Sequence, residues 1–418
     1  MSVQLSLFMT IGIIIIYTSY KMSKRILNIP TILITPYLFV IPINNILMTK
    51  YNFYDISNET IEMILLASFC VTIGSLIAEI RRKKKSDVGI YYDQSDDKFN
   101  YYSFDKMVNY VIIVEIITVA RFLITLLTEG AVFIVSDEYE SGLIKGFLGH
   151  LFLTIYPLLP ILFYYWLKHK NRIRFLFASC FGLCLFFLTF VKYHSIGLVV
   201  ITFFLVSFED FKYFKKGIFT VVVFAISFFV LNYFISFVAR GTTNAIKDNY
   251  YLEHLWNYIS GSIIYDNDIF LNGVRVNVSI FYKLLSFTMA PINLILDKLD
   301  FDLICPHEAL PYIYVGSNGE MGNVIDALGY LYPSKGGLID LLLYIIVLTV
   351  IGFIFTQIYN RELRPKNRYA ITLCIFLSFF VFFSFFGTFY VSFVPYEMIF
   401  WSIVMLKLFD RRIKVKMK

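Results

Sequence analysis

Charge is scarce in this 418-residue chain: Asp, Glu, Lys and Arg make up only 16% of it, against about 25% in soluble domains. That shortage excludes an ordinary soluble protein, and the mean hydropathy of +0.69 points the same way. Cysteine is scarce as well. Cys70, Cys180, Cys184 and Cys374 fall in apolar runs and Cys305 stands alone outside them, so no disulfide framework is expected. There is no C-x-x-C, no H-E-x-x-H and no Walker loop, so the usual short signatures of redox, zinc and nucleotide chemistry are missing. The N-terminal MSVQLSLFMTIGIIIIY has neither a basic n-region nor a small-residue cleavage site. It is expected to be a retained helix rather than a signal peptide.

What the chain has in abundance is apolar sequence, 58% hydrophobic and 19% aromatic. Runs of about 18 or more apolar residues, enough to cross a hydrocarbon core of roughly 30 Å, recur throughout. The expected fold is an all-α polytopic membrane protein with about eleven spans: 3–20, 27–48, 60–80, 107–128, 149–167, 175–191, 195–208, 217–237, 337–358, 369–388 and 390–406. The seventh is short. Pro30, Pro36, Pro157, Pro160 and Pro395 lie within spans, where neighbouring helices can re-satisfy the backbone.

Orientation follows from the basic residues. KMSKR (21–25), RRKKK (81–85, with Lys98 and Lys106), KHKNRIR (168–174), FKYFKK (211–216), NRELRPKNR (360–368) and the tail from Lys407 hold most of the 37 Lys and Arg. They alternate strictly with poorly charged connections. All six fall on one side only if the N-terminus is outside and the C-terminus in the cytoplasm. The net charge of +7 is this flank signal, and no nucleic-acid partner is implied.

The chain therefore divides into helices 1–8 (residues 1–237), one large external loop (238–335), and helices 9–11 with a basic tail (336–418). An aromatic-rich loop of about a hundred residues is expected to be functional. Its segment 277–299 has apolar residues at helical spacing with Lys283 and Lys298 on the polar side, which suits a helix in the interface plane or packed on the bundle. No internal repeat of the inverted-transporter type is visible.

Cations at the outer side carry the sharpest chemical signal. Arg121 lies two thirds of the way across the fourth span, Lys192 at the outer end of the sixth, and Arg240 at the outer end of the eighth. An arginine in lipid costs roughly 2.5–3.5 kcal/mol on insertion scales, so each should face protein, water or an anion, or snorkel to headgroups. Pairing with a carboxylate such as Glu115 or Asp340 is the other reading. A pyrophosphate at the membrane surface suits arginine's bidentate fork, and fixed cations stabilise it as a leaving group without requiring a metal. His254 and His307 could serve as a base for a sugar hydroxyl or be ordinary structural histidines. Asp266 and Asp268 could orient sugar hydroxyls or end a helix. Lys335, in PSKGGLID, precedes the ninth span, where helix-start N–H groups could meet a phosphate or merely form a turn.

The ordered set ARGTTN (239–244), WNYISGSIIYDNDIF (256–270) and GNVIDALGYLYPSKGGLIDLLL (322–343) resembles the outer loop and following helix of bacterial O-antigen polymerases, the Wzy or oligosaccharide repeat-unit polymerase family. In that family an arginine opens the long periplasmic loop. A Y-x-x-G segment leading into acidic residues follows, and an N-x-x-x-x-x-G-x-x-Y stretch precedes a glycine-bearing helix. The resemblance implies a fold like the metal-independent C-type glycosyltransferases, at the periplasmic face of the bacterial inner membrane. It implies transfer of a growing glycan from undecaprenyl pyrophosphate to a new lipid-linked repeat unit. Donor and acceptor lipids and a chain-length regulator protein would be its partners, with no cofactor. Arg240, Arg121 and His254 become the catalytic candidates; Lys192, Arg275, Tyr265, Asp266, Asn323, Tyr330 and Lys335 become candidates for substrate binding.

Two other functions compete. A lipopolysaccharide O-antigen ligase uses the same donor with a different acceptor. A flippase of the lipid-linked unit would be expected to show twelve or more even spans, a repeat and no such loop. A membrane acyltransferase would want a histidine at membrane depth, and neither His254 nor His307 lies within a span.

Overall fold

The computed structural model describes residues 3–85, 103–134, 146–170, 172–189, 191–240, 250–271, 279–306, 310–333, 337–362 and 370–410. Along the chain the helices are α1 (Val3–Ser23), α2 (Ile29–Ile46), α3 (Asn58–Lys85), α4 (Phe104–Glu129), the single turn α5 (Ala131–Ile134), α6 (Gly146–Leu153), α7 (Leu158–Lys168) and α8 (Ile173–Phe187). There follow α9 (Lys192–Glu209), α10 (Phe214–Arg240), α11 (Tyr250–Leu271), α12 (Ile280–Lys298), the short α13 (Ala327–Leu331), α14 (Leu338–Glu362), α15 (Ala370–Phe376) and α16 (Phe393–Leu408). One antiparallel hairpin, β1 (Ile313–Tyr314) with β2 (Met321–Gly322), sets Ile313 opposite Gly322.

Eight helices among the described residues are long and apolar enough to cross a membrane. Seven coincide with predicted spans. The eighth, Ile280–Lys298, meets the same criteria, although its sequence also suits an interfacial helix. Three other predicted spans correspond to shorter apolar helices, Ile173–Phe187, Tyr193–Glu209 and Ala370–Phe385. The chain breaks there for local reasons. After α15 the backbone widens into a π turn over Leu377–Val381 and tightens into 3-10 turns at Phe382–Phe385 and Phe389–Val391. The fifth predicted span likewise turns at 154–157, just before Pro157 caps α7.

By packing, the chain forms two compact units that interleave in sequence: Met1–Asp93 with Leu252–Arg364 and Phe379–Tyr396, and Gln94–Tyr251 with Pro365–Ser378 and Glu397–Lys418. In the first, α3 and α14 touch backbone to backbone. A Cβ on Gly74 would stand 1.9 Å from the Thr349 carbonyl oxygen, and one on Gly352 would stand 2.2 Å from that of Val71. Small residues facing each other in this way let membrane helices close to van der Waals contact. Ser75 Oγ lies 2.6 Å from Thr356 Oγ1 beside them, so the polar atoms of the seam satisfy each other. α2 starts on Asn28, whose side chain accepts from Thr31 N at 3.1 Å, with Pro30 in the first turn, where its missing N–H costs nothing.

Within each unit the basic connections gather at one end. In the first, Arg25 donates to Asn360 Oδ1 (3.3 Å), Asn360 donates to Glu79 Oε1 (2.8 Å), and Arg82 closes on Glu79 Oε2 (2.7 Å). Arg25, Arg82 and Asn360, from three basic connections predicted to share a side, thus gather around Glu79. In the second, Asp105 takes Arg172 at 3.3 Å and also Arg174, while Ser103 N donates to Phe409 O at 3.0 Å.

The α3–α14 seam yields a direct test. Gly74→Val or Gly352→Val should part the two helices and lower folded yield and thermal midpoint in detergent, by the 1–3 kcal/mol typical of overpacking or more. Ser75→Ala, which removes one hydroxyl and adds no bulk, should cost far less. Size-exclusion profiles before and after heating measure both.

Candidate functional site

The described parts of the predicted outer loop do not hang free of the first unit. Asn267 of α11 accepts from Ser57 N and from Thr60 Oγ1, both at 2.9 Å, and donates to Asp55 O at 2.7 Å. Trp256 Nε1 donates to Asn44 Oδ1 at 2.8 Å. Tyr54 N donates to Val315 O and Ser317 N to Asn52 O, so segment 52–54 docks on the hairpin. These side-chain amides replace water for backbone groups that have no ladder of their own.

At the centre sits α13, every residue of which is buried. Asp326 caps it: Oδ1 accepts from Gly329 N at 2.5 Å and Oδ2 from the Tyr37 hydroxyl at 2.7 Å. Two more tyrosines hold its carbonyls, Tyr390 on Ala327 O (2.7 Å) and Tyr344 on Leu328 O (3.3 Å). Lys283 closes the far end on Tyr332 O (3.0 Å), its ammonium 5.4 Å from the centre of the Tyr330 ring. Lys283 is therefore not on a polar face as its helical spacing indicated. It is buried, because a carbonyl and an aromatic ring both receive its charge.

Asp266 comes in from α11. Its carboxyl packs so closely on Gly329 that a Cβ there would lie 2.2 Å from Oδ1, so only glycine fits. Both acids are fully buried and lie outside the candidate spans. Burial, reinforced by Asp326, pushes the Asp266 carboxyl well above the usual carboxylate range. Burial also raises Asp326, to about 6, with the Gly329 N–H and the Tyr37 hydroxyl holding it down. Two acids this close and this dry do not both ionise easily. Asp326 has the donors, so it is the one suited to carry the charge.

Against this wall opens a narrow apolar groove between α2, α3, α12, α13, α14 and residues 380–390. Leu33, Val71, Phe287, Leu328, Ile351 and Tyr390 are among its lining. A lining this apolar suits hydrocarbon better than sugar.

The structure brings some predicted site residues together and separates others. Tyr265, Asp266 and Tyr330 are buried around α13, with the Tyr265 hydroxyl on Pro311 O at 3.1 Å. Asp266 neither ends a helix nor faces solvent, since it lies inside α11. Asn323 is half-buried before α13, and His254 is half-buried on α11 with its ring 5.2 Å from that of Tyr258. Arg121 belongs to the other unit, half-buried on α4. Glu115, weighed as a neutralising partner for these cations, is instead buried and directed at Gly182. Lys192 opens α9 and Arg240 ends α10, but both side chains lie outside the described residues, as do Arg275, His307 and Lys335 altogether. Among the described residues no three His, Cys, Asp or Glu side chains gather as metal ligands.

Sequence reasoning passed over Tyr37, Asp326, His150 and Glu397, and it misplaced Lys283. Each had a signal: an acid three places before the glycine of GNVIDALGY, or a lone ionisable group inside an apolar run. His150 and His194 both stand on apolar helices of the second unit, so the placement of histidines does not exclude an acyltransferase.

The acid pair makes stability depend on pH. Both carboxyls titrate higher folded than unfolded, so their contribution is complete below about pH 4, where the unfolded groups are also protonated. It is lost as pH rises through about 6. Wild type should therefore show a falling thermal midpoint between pH 4.5 and 7.5, and Asp266→Asn a flatter profile with the larger gain at pH 7.5. An identical slope in both would refute the coupling.

No family model matches the chain, and neither a curated protein nor a solved structure is similar to it.

Proposed function

We propose that this protein polymerises lipid-linked oligosaccharide repeat units at the outer face of the bacterial inner membrane. It would transfer the growing glycan from undecaprenyl pyrophosphate to the next unit. The observation that carries the reading is the convergence of two sequence segments that resemble the polymerase family. WNYISGSIIYDNDIF and GNVIDALGYLY are more than fifty residues apart, yet they run side by side. Asn257 donates to Met321 O at 3.2 Å, Gly261 O lies 3.9 Å from a Cβ on Gly322, and Asp266 packs on Gly329. Gly329 of the second segment is required by the Asp266 carboxyl of the first, so the two segments share one packed contact.

The apolar groove beside α13 supports the same reading, because a polyprenyl-linked substrate has a long hydrocarbon chain to bury. The outer cations, Arg121 and Arg240 foremost, would bind the pyrophosphate and take up the charge that develops as it leaves. A ligase would share the donor and differ in where the glycan goes. Cellular phenotype separates the two.

Deleting the gene should leave lipid A–core capped with a single repeat unit and no ladder of longer chains on a gel. Loss of even the single capped unit would point to the ligase or a flippase. Arg240→Ala, if expressed at wild-type level, should cut polymerisation by about 10²–10³, the loss seen when one oxyanion donor is removed. Arg240→Lys should rescue poorly, since a point charge does not reproduce the fork. A normal ladder from Arg240→Ala would reduce that arginine to a flank residue.

A further inference from the structure

The second unit contains a histidine–carboxylate contact that nothing above employs. His150, on α6, sets Nδ1 2.5 Å from Oε1 of Glu397 on α16. The same carboxylate oxygen accepts from Trp401 Nε1, one turn further along α16, at 3.1 Å. The histidine side chain is 23% exposed and the glutamate 10%. An ionisable pair placed on apolar helices is costly to keep, and such pairs mark function more often than packing. The geometry is also directional. Glu397 is fixed by its own helix and holds the imidazole through Nδ1, leaving Nε2 as the atom able to accept a proton. A nitrogen base oriented by a buried carboxylate that offsets the imidazolium charge is the arrangement used to activate hydroxyl groups.

Position agrees with that use. His150 lies near the start of the fifth predicted span and Glu397 near the start of the eleventh. By the alternation of basic connections both spans begin on the outer side. Arg121 is on α4, which packs against α6 and approaches the same side at its C-terminal end. A base and a cation thus belong to the outer half of one unit.

Resting on the polymerase reading, we infer that His150, positioned by Glu397, is the general base for the acceptor hydroxyl in glycan transfer. His150 Nε2 takes the hydroxyl proton as that oxygen attacks the anomeric carbon of the donor. The new glycosidic C–O bond forms while the bond from the same carbon to the pyrophosphate oxygen breaks. The electron pair leaves with undecaprenyl pyrophosphate, and the proton passes from the imidazolium to solvent. His150 is the catalytic residue here, and Glu397 is a positioning residue.

The test uses the full chain in lipid nanodiscs. The substrate is the undecaprenyl-pyrophosphate-linked repeat unit extracted from membranes of a strain lacking the gene. His150→Ala should lose 10²–10⁴ in kcat, the range for removal of a general base, with KM little changed. Glu397→Gln keeps an acceptor for Trp401 but loses the charge, and should lose at least tenfold in kcat. A pair that merely ties α6 to α16 would lower the thermal midpoint and leave kcat per folded molecule intact, which would overturn the assignment. If the single variants do not fold, the double variant His150→Phe with Glu397→Leu replaces the pair by apolar bulk, a change that buried pairs often tolerate. It should then be folded and inactive; folded and active would overturn the assignment. If wild type itself makes no polymer from this substrate, the proposed function fails and this assignment fails with it.

Discussion

A buried carboxylate must be given donors or be kept neutral, and much of the first unit is arranged around that requirement at Asp326. Its two oxygens are taken by the Gly329 N–H in the first turn of α13 and by the hydroxyl of Tyr37 from α2. An unpaired buried charge would cost several kcal/mol, so α2 and α13 are bound to each other through this one side chain. Tyr390 and Tyr344 then add two neutral hydrogen bonds to the same short helix. Five residues are too few to make a stable helix alone. α13 exists because four side chains from elsewhere in the unit supply what its own length does not.

The same requirement explains how irregular segments between the long helices are held in the first unit. Backbone groups in 47–57 and 304–306 have no regular ladder, and Asn44, Asn45, Asn267 and Asn293 take them over. Asn45 both accepts from Ile56 N and donates to Ile56 O, and Asn293 does the same for Ile304. An asparagine used in this way is a detachable piece of strand, and it lets irregular chain lie against apolar helices without unsatisfied polar atoms.

Most of the long apolar helices were legible in the sequence, because hydrophobic length is a local property; Ile280–Lys298, as long and apolar as the others, was not read as a span. The two motif stretches, 256–270 and 322–332, were legible too. Their meeting was not. That Asp266 is buried, that Gly329 is required by its carboxyl, and that Lys283 turns inward all depend on partners distant in sequence, which periodicity does not reveal. The helical spacing of 277–299 assigned Lys283 to the wet side because the rule prices an ammonium without knowing that a carbonyl and a ring await it. His150 and Glu397, 247 positions apart, had only the weak signal of being ionisable in apolar runs. The outer cations remain the part of the site for which sequence speaks most and the described side chains least.

The two glycines of the α3–α14 seam have a mechanical consequence for the groove beside them. Helices in contact backbone to backbone have no side chains to flex between them, so they neither roll nor slide without coming apart. The wall of the groove formed by Val71 on α3 and by Leu348 and Ile351 on α14 is in effect a rigid spar. The opposite wall is α12 and the turns at 380–390, which meet through rings such as Phe287 on Tyr390, 5.3 Å between centroids. Rings can tilt where backbones cannot. Any change in the width of the groove must therefore come from the aromatic side, and a chain entering it from the lipid would part rings while the spar stays still.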